Sequence, residues 1–428
     1  MTRIFLLCYN SLVEKADTYI ILYNAGGGMR GLIPAHIMSR IEEETGQPIS
    51  DMVDIFCGPS TGAILNAALT LRDPTDASKP KYKAKQMVRF YEREGIRIFP
   101  PDRYRAFRGL LHDFNNRTMR LNQLKWLFKH GHYDSKHLKR ALRMLYGHAQ
   151  LQSARTGLVI PVYNIDGGHI SVIEEYDETG NTPVRTKNNF NDSGGHAVWL
   201  KHMETGFGRP TNMEVKLVDS VLASCAAPSF FPCHHFPVRY ASEGKTRYYS
   251  GIDGSIFDNP CISYHGAIKN HIPPGSNIIM IVIGTGYTNK SVSREEWNQM
   301  GALGVVDPAN DLPLINIFFH ASETALIDAF QEEIGEHLYI FNKNLVATER
   351  NENFPSEEID DASPENLQRL KNFADLIIDE NKQSFDTLCE LLKSNTKNRQ
   401  KRSKKMPAIS ATKSKKKGGL FSGFLGGE

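Results

Sequence analysis

The 428-residue chain contains no apolar run approaching the ~18–20 residues that a membrane-spanning helix requires. The longest apolar stretch, residues 277–283, has the length of a buried strand. Cysteine is scarce. The six (Cys8, Cys57, Cys225, Cys233, Cys261 and Cys389) show no paired spacing, which argues against a disulfide framework and for free thiols in a reducing compartment. Residues 1–9 carry one basic side chain and too short an apolar run for a secretory signal, so a soluble, cytoplasmic protein is expected, with delivery as a secreted effector left open. With 40% hydrophobic residues there is ample material for a large core, and the length suits one large α/β domain with appendages.

Acid is missing from one region. Residues 397–417 hold ten Lys/Arg and no Asp or Glu. The chain has 51 basic and 48 acidic residues, which leaves 41 against 48 outside that run. A basic arm of +10 is therefore attached to a body of −7. An apolar, glycine-diluted end follows, with Leu420, Phe421, Phe424 and Leu425. Such a tail suits an anionic membrane surface, at about 1 kcal/mol per basic residue near it. A solvated disordered arm or a targeting signal is the alternative, and no nucleic-acid partner is expected. Removing residues 397–428 is expected to leave the chemistry intact.

Glycine is placed where chemistry could use it. Gly26-Gly27-Gly28-Met29-Arg30-Gly31 follows the apolar run Tyr19–Tyr23, and Gly58-Pro59-Ser60-Thr61-Gly62 follows Met52–Cys57. The second turn has the G-x-S-x-G form of a nucleophile elbow, in which a serine projects above a sheet from a sharp strand-to-helix turn. The first presents consecutive N–H groups at a helix N-terminus, suited to a developing oxyanion. Gly26, Gly28 and Gly31 also spell G-x-G-x-x-G, the dinucleotide fingerprint, with Asp51 twenty residues beyond Gly31. That fold needs its ribose-binding acid at the carboxyl end of the second strand, and Ser60 follows that end instead. The hydrolase reading is therefore preferred.

A base for Ser60 has two sources. His265, His271, His320 and His337 follow the best acid candidate, but none has a distinctive glycine or turn context. The acid candidate is Asp253, on the tight turn Asp253-Gly254-Ser255 after the expected strand Arg247–Ile252. Direct contact with the serine and desolvation would make a carboxylate an adequate base, so a Ser-Asp dyad is possible without histidine. An ordinary Asx-turn aspartate is the competing reading.

These blocks resemble the patatin-like phospholipases. The glycine loop 26–31, the serine elbow 58–62, the segment Ala223-Ser224-Cys225-Ala226-Ala227-Pro228-Ser229-Phe230-Phe231-Pro232, and Asp253-Gly254-Ser255 with Asp258-Asn259-Pro260 match in order. Gly284-Thr285-Gly286 is a weaker fifth match. The resemblance implies a three-layer α/β sandwich with a central, mostly parallel sheet flanked by helices, here with a helical and basic C-terminal extension. It also implies phospholipase A-type release of fatty acid from membrane glycerolipids, without metal or other cofactor. Carried over, Ser60 is the nucleophile and Asp253 its base. Gly27, Gly28 and Met29 offer the oxyanion N–H groups, and Gly26, Arg30, Gly31, Gly58, Gly62 and Gly254 support them. Arg30 would brace the loop or meet a lipid phosphate. Ala25, Pro59 and Ser255 depart from the family pattern, which leaves a catalytically weak lipid- or partner-binding protein as the alternative.

Along the chain, residues 1–345 read as the hydrolase domain, 346–396 as a helical extension and 397–428 as a basic, disordered tail. Leu32, Ile33, Ile37, Met38 and Ile41 form the core stripe of a first helix. Residues 82–150 read as helices, chiefly core, that could cap the cleft. Leu158–Asn164 and His169–Glu175 read as paired strands, and 177–212 as loop. Leu367, Leu370, Phe373, Leu376, Ile377 and Leu388 mark one amphipathic helix over 363–394.

Overall fold

The computed structural model describes residues 17–100, 133–166, 173–176, 183–187, 194–203, 213–228, 230–240, 244–287, 292–304, 314, 317, 327–345 and 354–405. Trp126, Leu127, His320 and the apolar C-terminal end lie outside these residues. In chain order the elements are β1 (Thr18–Asn24), α1 (Leu32–Thr45), β2 (Ile55–Cys57), α2 (Thr61–Thr70), α3 (Ala84–Ile98), α4 (Ser135–Tyr146), β3 (Gly157–Asn164), β4 (Ile173–Tyr176), β5 (Pro183–Lys187), β6 (His196–His202), β7 (Met213–Glu214) and α5 (Leu217–Ser224). The remainder is β8 (His234–Tyr240), β9 (Lys245–Asp253), β10 (Asn277–Ile283), α6 (Arg294–Gly304), α7 (Ile327–Ile334), β11 (Leu338–Phe341), α8 (Pro364–Glu380) and α9 (Lys382–Lys405).

The main sheet runs β11-β10-β1-β2-β3-β9-β8-β7, with β6 also on β3. The strands from β11 to β3 are parallel, and those beyond β3 are antiparallel. Alternation along β1 explains the three layers. Ile20 and Leu22 enter one core with the α1 stripe Leu32, Ile33, Ile37, Met38 and Ile41. Tyr19, Ile21 and Tyr23 enter a second core on the opposite face, with Tyr264, Ile268 and Phe330. A strand apolar on both faces belongs in the middle of a covered sheet.

Two strands, β2 and β9, share a single edge of β3. β6 takes one edge along Leu158–Asn164. On the other, β2 pairs with Gly157–Val159 and stops, while β9 arrives antiparallel and pairs with Val162–Asn164. The elbow after β2 and the end of β9 thus face each other across Ile160 and Pro161. This places Ser60 and Asp253 together although 193 positions separate them.

Several elements differ from the sequence expectation. β3 pairs with β2, β6 and β9, whereas β4 pairs with β5 in a separate two-stranded sheet. The region read as loop, 177–212, contains β5 and β6; its Asn/Gly/Thr composition hid β5, which pairs with the neighbouring β4, and β6, which pairs with β3. The single helix read over 363–394 is two, parted at Asn381, which leaves helical geometry (φ −112°, ψ 27°) and bonds back to the Ile377 carbonyl. α8 and α9 are not set apart from the sheet: Leu370, Phe373, Ile377 and Leu388 share the core that contains Ile20 and Leu32.

The basic run is also partly structural. Residues 397–405 continue α9 instead of forming a disordered tail. Asn395, Arg399 and Arg402 recur on one helical face and converge on Asp54, which is fully buried ahead of β2. The Asp54 carboxylate accepts from the Ile20 N–H at 2.8 Å and Asn395 Nδ2 at 2.9 Å, pairs with Arg399 Nε at 3.0 Å, and also meets Arg402. Arg402 lies over the Tyr19 ring at 4.4 Å. A buried carboxylate without such partners would be very unfavourable, so these two cations face inward, not toward a membrane. No helix among the described residues is long and apolar enough to cross a membrane.

Truncation after Lys405 should therefore leave unfolding stability within about 0.5 kcal/mol of the full chain. Truncation after Thr396, or Arg399→Ala with Arg402→Ala, should lower it by about 3–5 kcal/mol by urea denaturation. Equal stability of both truncated chains would show that the Asp54 cluster contributes nothing.

Candidate active site

The elbow is strained and tightly enclosed. Ser60 has φ 53° and ψ −124°, and among the described residues it is the one non-glycine with positive φ. Such a conformation costs about 1–3 kcal/mol and persists only where its surroundings enforce it. They do so through the end of β1. A Cβ at Gly58 or Gly62 would run into the Asn24 carbonyl, so side chains there would drive the elbow off the strand. Asn24, fully buried, is itself fixed by a 2.6 Å bond from Nδ2 to Asn66 Oδ1. Pro59 is accommodated because its carbonyl accepts from Ala63 N–H at 3.3 Å, a role that does not need its missing donor.

Ser60 and Asp253 are brought together. The Ser60 and Ser255 hydroxyls lie near enough to the Asp253 carboxyl to draw its pKa down, and the carboxylate accepts the Ser255 N–H at 2.9 Å. Asp253 is 2% exposed. Burial raises its pKa from 3.8 to about 6, against the pull of these donors. Ser255, one of the departures from the family pattern, thus supplies an extra donor to the carboxylate. Its Oγ occupies the space a Cβ at Gly26 would need. The Cys225 thiol lies near Ser60, and burial pushes its pKa well up, so it stays protonated beside the serine.

The segment 223–228 ties the two groups to the same scaffold. Ser224 Oγ accepts the Ser60 N–H at 3.0 Å and donates to the Pro161 carbonyl at 2.6 Å. The Ala226 carbonyl accepts the Asp253 N–H at 3.0 Å. Sequence reasoning marked this block but found no role for Ser224; the serine's partners are 63 and 164 positions away and invisible to local pattern.

The glycine loop lies against the elbow. The Gly26 carbonyl accepts from Thr285 Oγ1 at 2.6 Å, which gives the Gly284-Thr285-Gly286 element its place. Arg30 N–H closes the turn onto the Gly27 carbonyl at 3.1 Å, and Gly31 packs against Thr61. Gly254 packs on the Pro161 carbonyl. Among the described residues no acceptor meets the N–H of Gly27 or Gly28. Met29 differs: its N–H donates to the Ile359 carbonyl at 2.7 Å, so the third expected oxyanion donor is already engaged.

Ser60 and Gly28 line a cleft walled by Ile64, Phe90, Ile98, Phe99, Leu138 and Phe231. Residues of α3 and α4, read mainly as core, therefore wall the site as well. No histidine among the described residues lines this cleft. His265 bonds Glu333 at 2.7 Å and His234 bonds Asp219 at 2.9 Å, so both are engaged elsewhere. Asp51, the ribose-acid candidate of the dinucleotide reading, pairs with Arg155 instead.

A pocket that is apolar beside a serine, a buried carboxylate and unengaged amides is the layout of a lipid acyl hydrolase. Comparison with known proteins agrees. Residues 24–264, more than half the chain, match the Patatin-like phospholipase family, and the protein belongs to it. Patatin-like protein 2 of Oryza sativa subsp. indica is 24% identical over 404 residues, 88% of each chain. Patatin-11 of Solanum tuberosum is 24% identical over 409 residues, 90% of each. The crystal structure of VipD from Legionella pneumophila overlaps 84% of this chain and 67% of that one at 12% identity, with a TM-score of 0.26, too low to inform the fold.

Ser224→Ala would leave the Ser60 N–H and the Pro161 carbonyl unpaired. It should lower unfolding stability by about 1–3 kcal/mol, measured by urea denaturation, whereas a wild-type midpoint would show that the bridge is dispensable.

Proposed function

We propose that the protein is a serine-dependent acyl hydrolase that releases fatty acid from membrane glycerolipids, with Ser60 as nucleophile and Asp253 as its base. The observation that carries this is the Ser60 hydroxyl, in the lining of an apolar cleft, beside the buried carboxyl of Asp253. Ser60 Oγ attacks the ester carbonyl as its proton passes to Asp253. The carbonyl oxygen becomes an anion held by the N–H groups of Gly27 and Gly28. Collapse expels the lysolipid alcohol, which takes the proton from Asp253, and leaves the acyl group on Ser60. Water repeats the sequence and frees the fatty acid. The cleft holds the acyl chain. Arg30, half-buried at the end of the loop, is the proposed contact for a lipid phosphate. The basic residues 413–417 are proposed to meet an anionic membrane surface, the role left after Arg399 and Arg402 turn inward.

Ser60→Ala and Asp253→Asn should each reduce hydrolysis of a short-chain ester by about 10³-fold or more without loss of fold. His265→Ala, His271→Ala and His337→Ala should change it less than about threefold, and an equal loss at any of them would replace the dyad with a triad.

The base works only when ionised, so kcat/KM should rise with pH and level off above about 6, not near 4 as for an exposed aspartate. Ser255→Gly keeps the backbone donor but removes the hydroxyl that favours the carboxylate, and should move this limb to higher pH. An unmoved limb would mean that Asp253 is not the group being titrated.

A further inference from the structure

The stretch Phe354–Ser363 lies outside the residues that match the family, yet it reaches the active site. Its Ile359 carbonyl accepts the Met29 N–H at 2.7 Å, and Ile359 lines the same cleft as Ser60 and Gly28. Gly28, at φ 57°, has no room for a Cβ because that carbonyl sits against it. The stretch is well secured. Asn366, 1% exposed at the head of α8, accepts from the Ser356 N–H and donates to the Asp361 carbonyl, both at 2.8 Å. Tyr133 OH donates to Asp360 Oδ2 at 2.7 Å. Ala362 is buried against the core near Gly95, where the Met29 side chain ends. Phe354 packs edge-on to Phe373 of α8.

A loop that must present two amides to an oxyanion needs its next amide held still, and a mislaid donor is of little use. From these contacts we infer that Phe354–Ser363 is a working part of the active site: Ile359 is a positioning residue whose carbonyl holds Met29 and so aims the Gly27 and Gly28 N–H groups at the reacting carbonyl. This rests on the acyl-hydrolase reading for its catalytic consequence, but not for the contact itself. With anchors at Asn366, Tyr133 and Phe373, the stretch is a fixed buttress and not a latch poised to leave.

Full-length wild type, Asn366→Ala and Tyr133→Phe are compared by hydrogen exchange of the peptide covering residues 24–38 and by hydrolysis of p-nitrophenyl butyrate. Exchange at the loop should speed up in both variants. The kcat should fall roughly ten- to hundredfold in Asn366→Ala, and less in Tyr133→Phe, with KM within about twofold. The acid limb of the pH profile should stay in place, because Ser60 and Asp253 are untouched. Unchanged loop exchange in folded variants overturns the inference whatever the activity, and so does a wild-type or raised kcat, since a raised one would make the stretch a block. If Asn366→Ala does not fold, Tyr133→Phe decides alone by the same readouts. A wild type that hydrolyses no ester but shows the exchange effect would refute the acyl-hydrolase reading and leave the buttress standing.

Discussion

β2 stops after three residues, and the edge of β3 that it vacates is taken by β9 arriving from the opposite direction. Backbone pairing therefore sets the gap between the elbow and the Asp253 turn, before any side chain is considered. The sheet then has to receive two turns in a space spanned by Ile160 and Pro161. Ser224 and Ala226 fill it with hydrogen bonds to the Ser60 and Asp253 amides. The meeting of Ser60 and Asp253 is consequently a property of strand order.

The energetic design is one of enforced strain. Ser60 sits in a conformation that costs about 1–3 kcal/mol, and the Asn24 carbonyl leaves glycine as the residue that fits on either side of it. A carboxylate with an ordinary pKa would be a feeble base at neutral pH. Burial raises that of Asp253 to about 6, against the pull of the donors around it, as the base role proposed for it requires. Elsewhere the same fold pairs a second buried carboxylate, Asp54, with two arginines from the far end of the chain.

What could be read from the sequence was whatever is encoded locally. The glycine turns, the Asp253 turn and the α1 stripe are short patterns whose physics is complete within a few residues. The α/β class followed from them. Met29 looked like a donor because its amide follows Gly28 in the loop, and its engagement by Ile359 depends on a contact 330 positions away. Residues 397–405 read as tail because charge composition does not reveal a buried partner; Asp54 is as distant in sequence as it is close in space. β6 was missed for the same reason, its partner β3 lying about 30–45 residues back, whereas β5 pairs with its neighbour β4 and was hidden by a polar, glycine-rich composition.

The central claim is that Ser60 is an activated nucleophile. The most direct measurement is reaction of the native protein with a fluorophosphonate, followed by digestion and mass mapping of the adduct. The account predicts one adduct per chain, on Ser60, that disappears when the protein is unfolded first. No adduct on the folded protein, or one on a different residue such as Cys225, would contradict it.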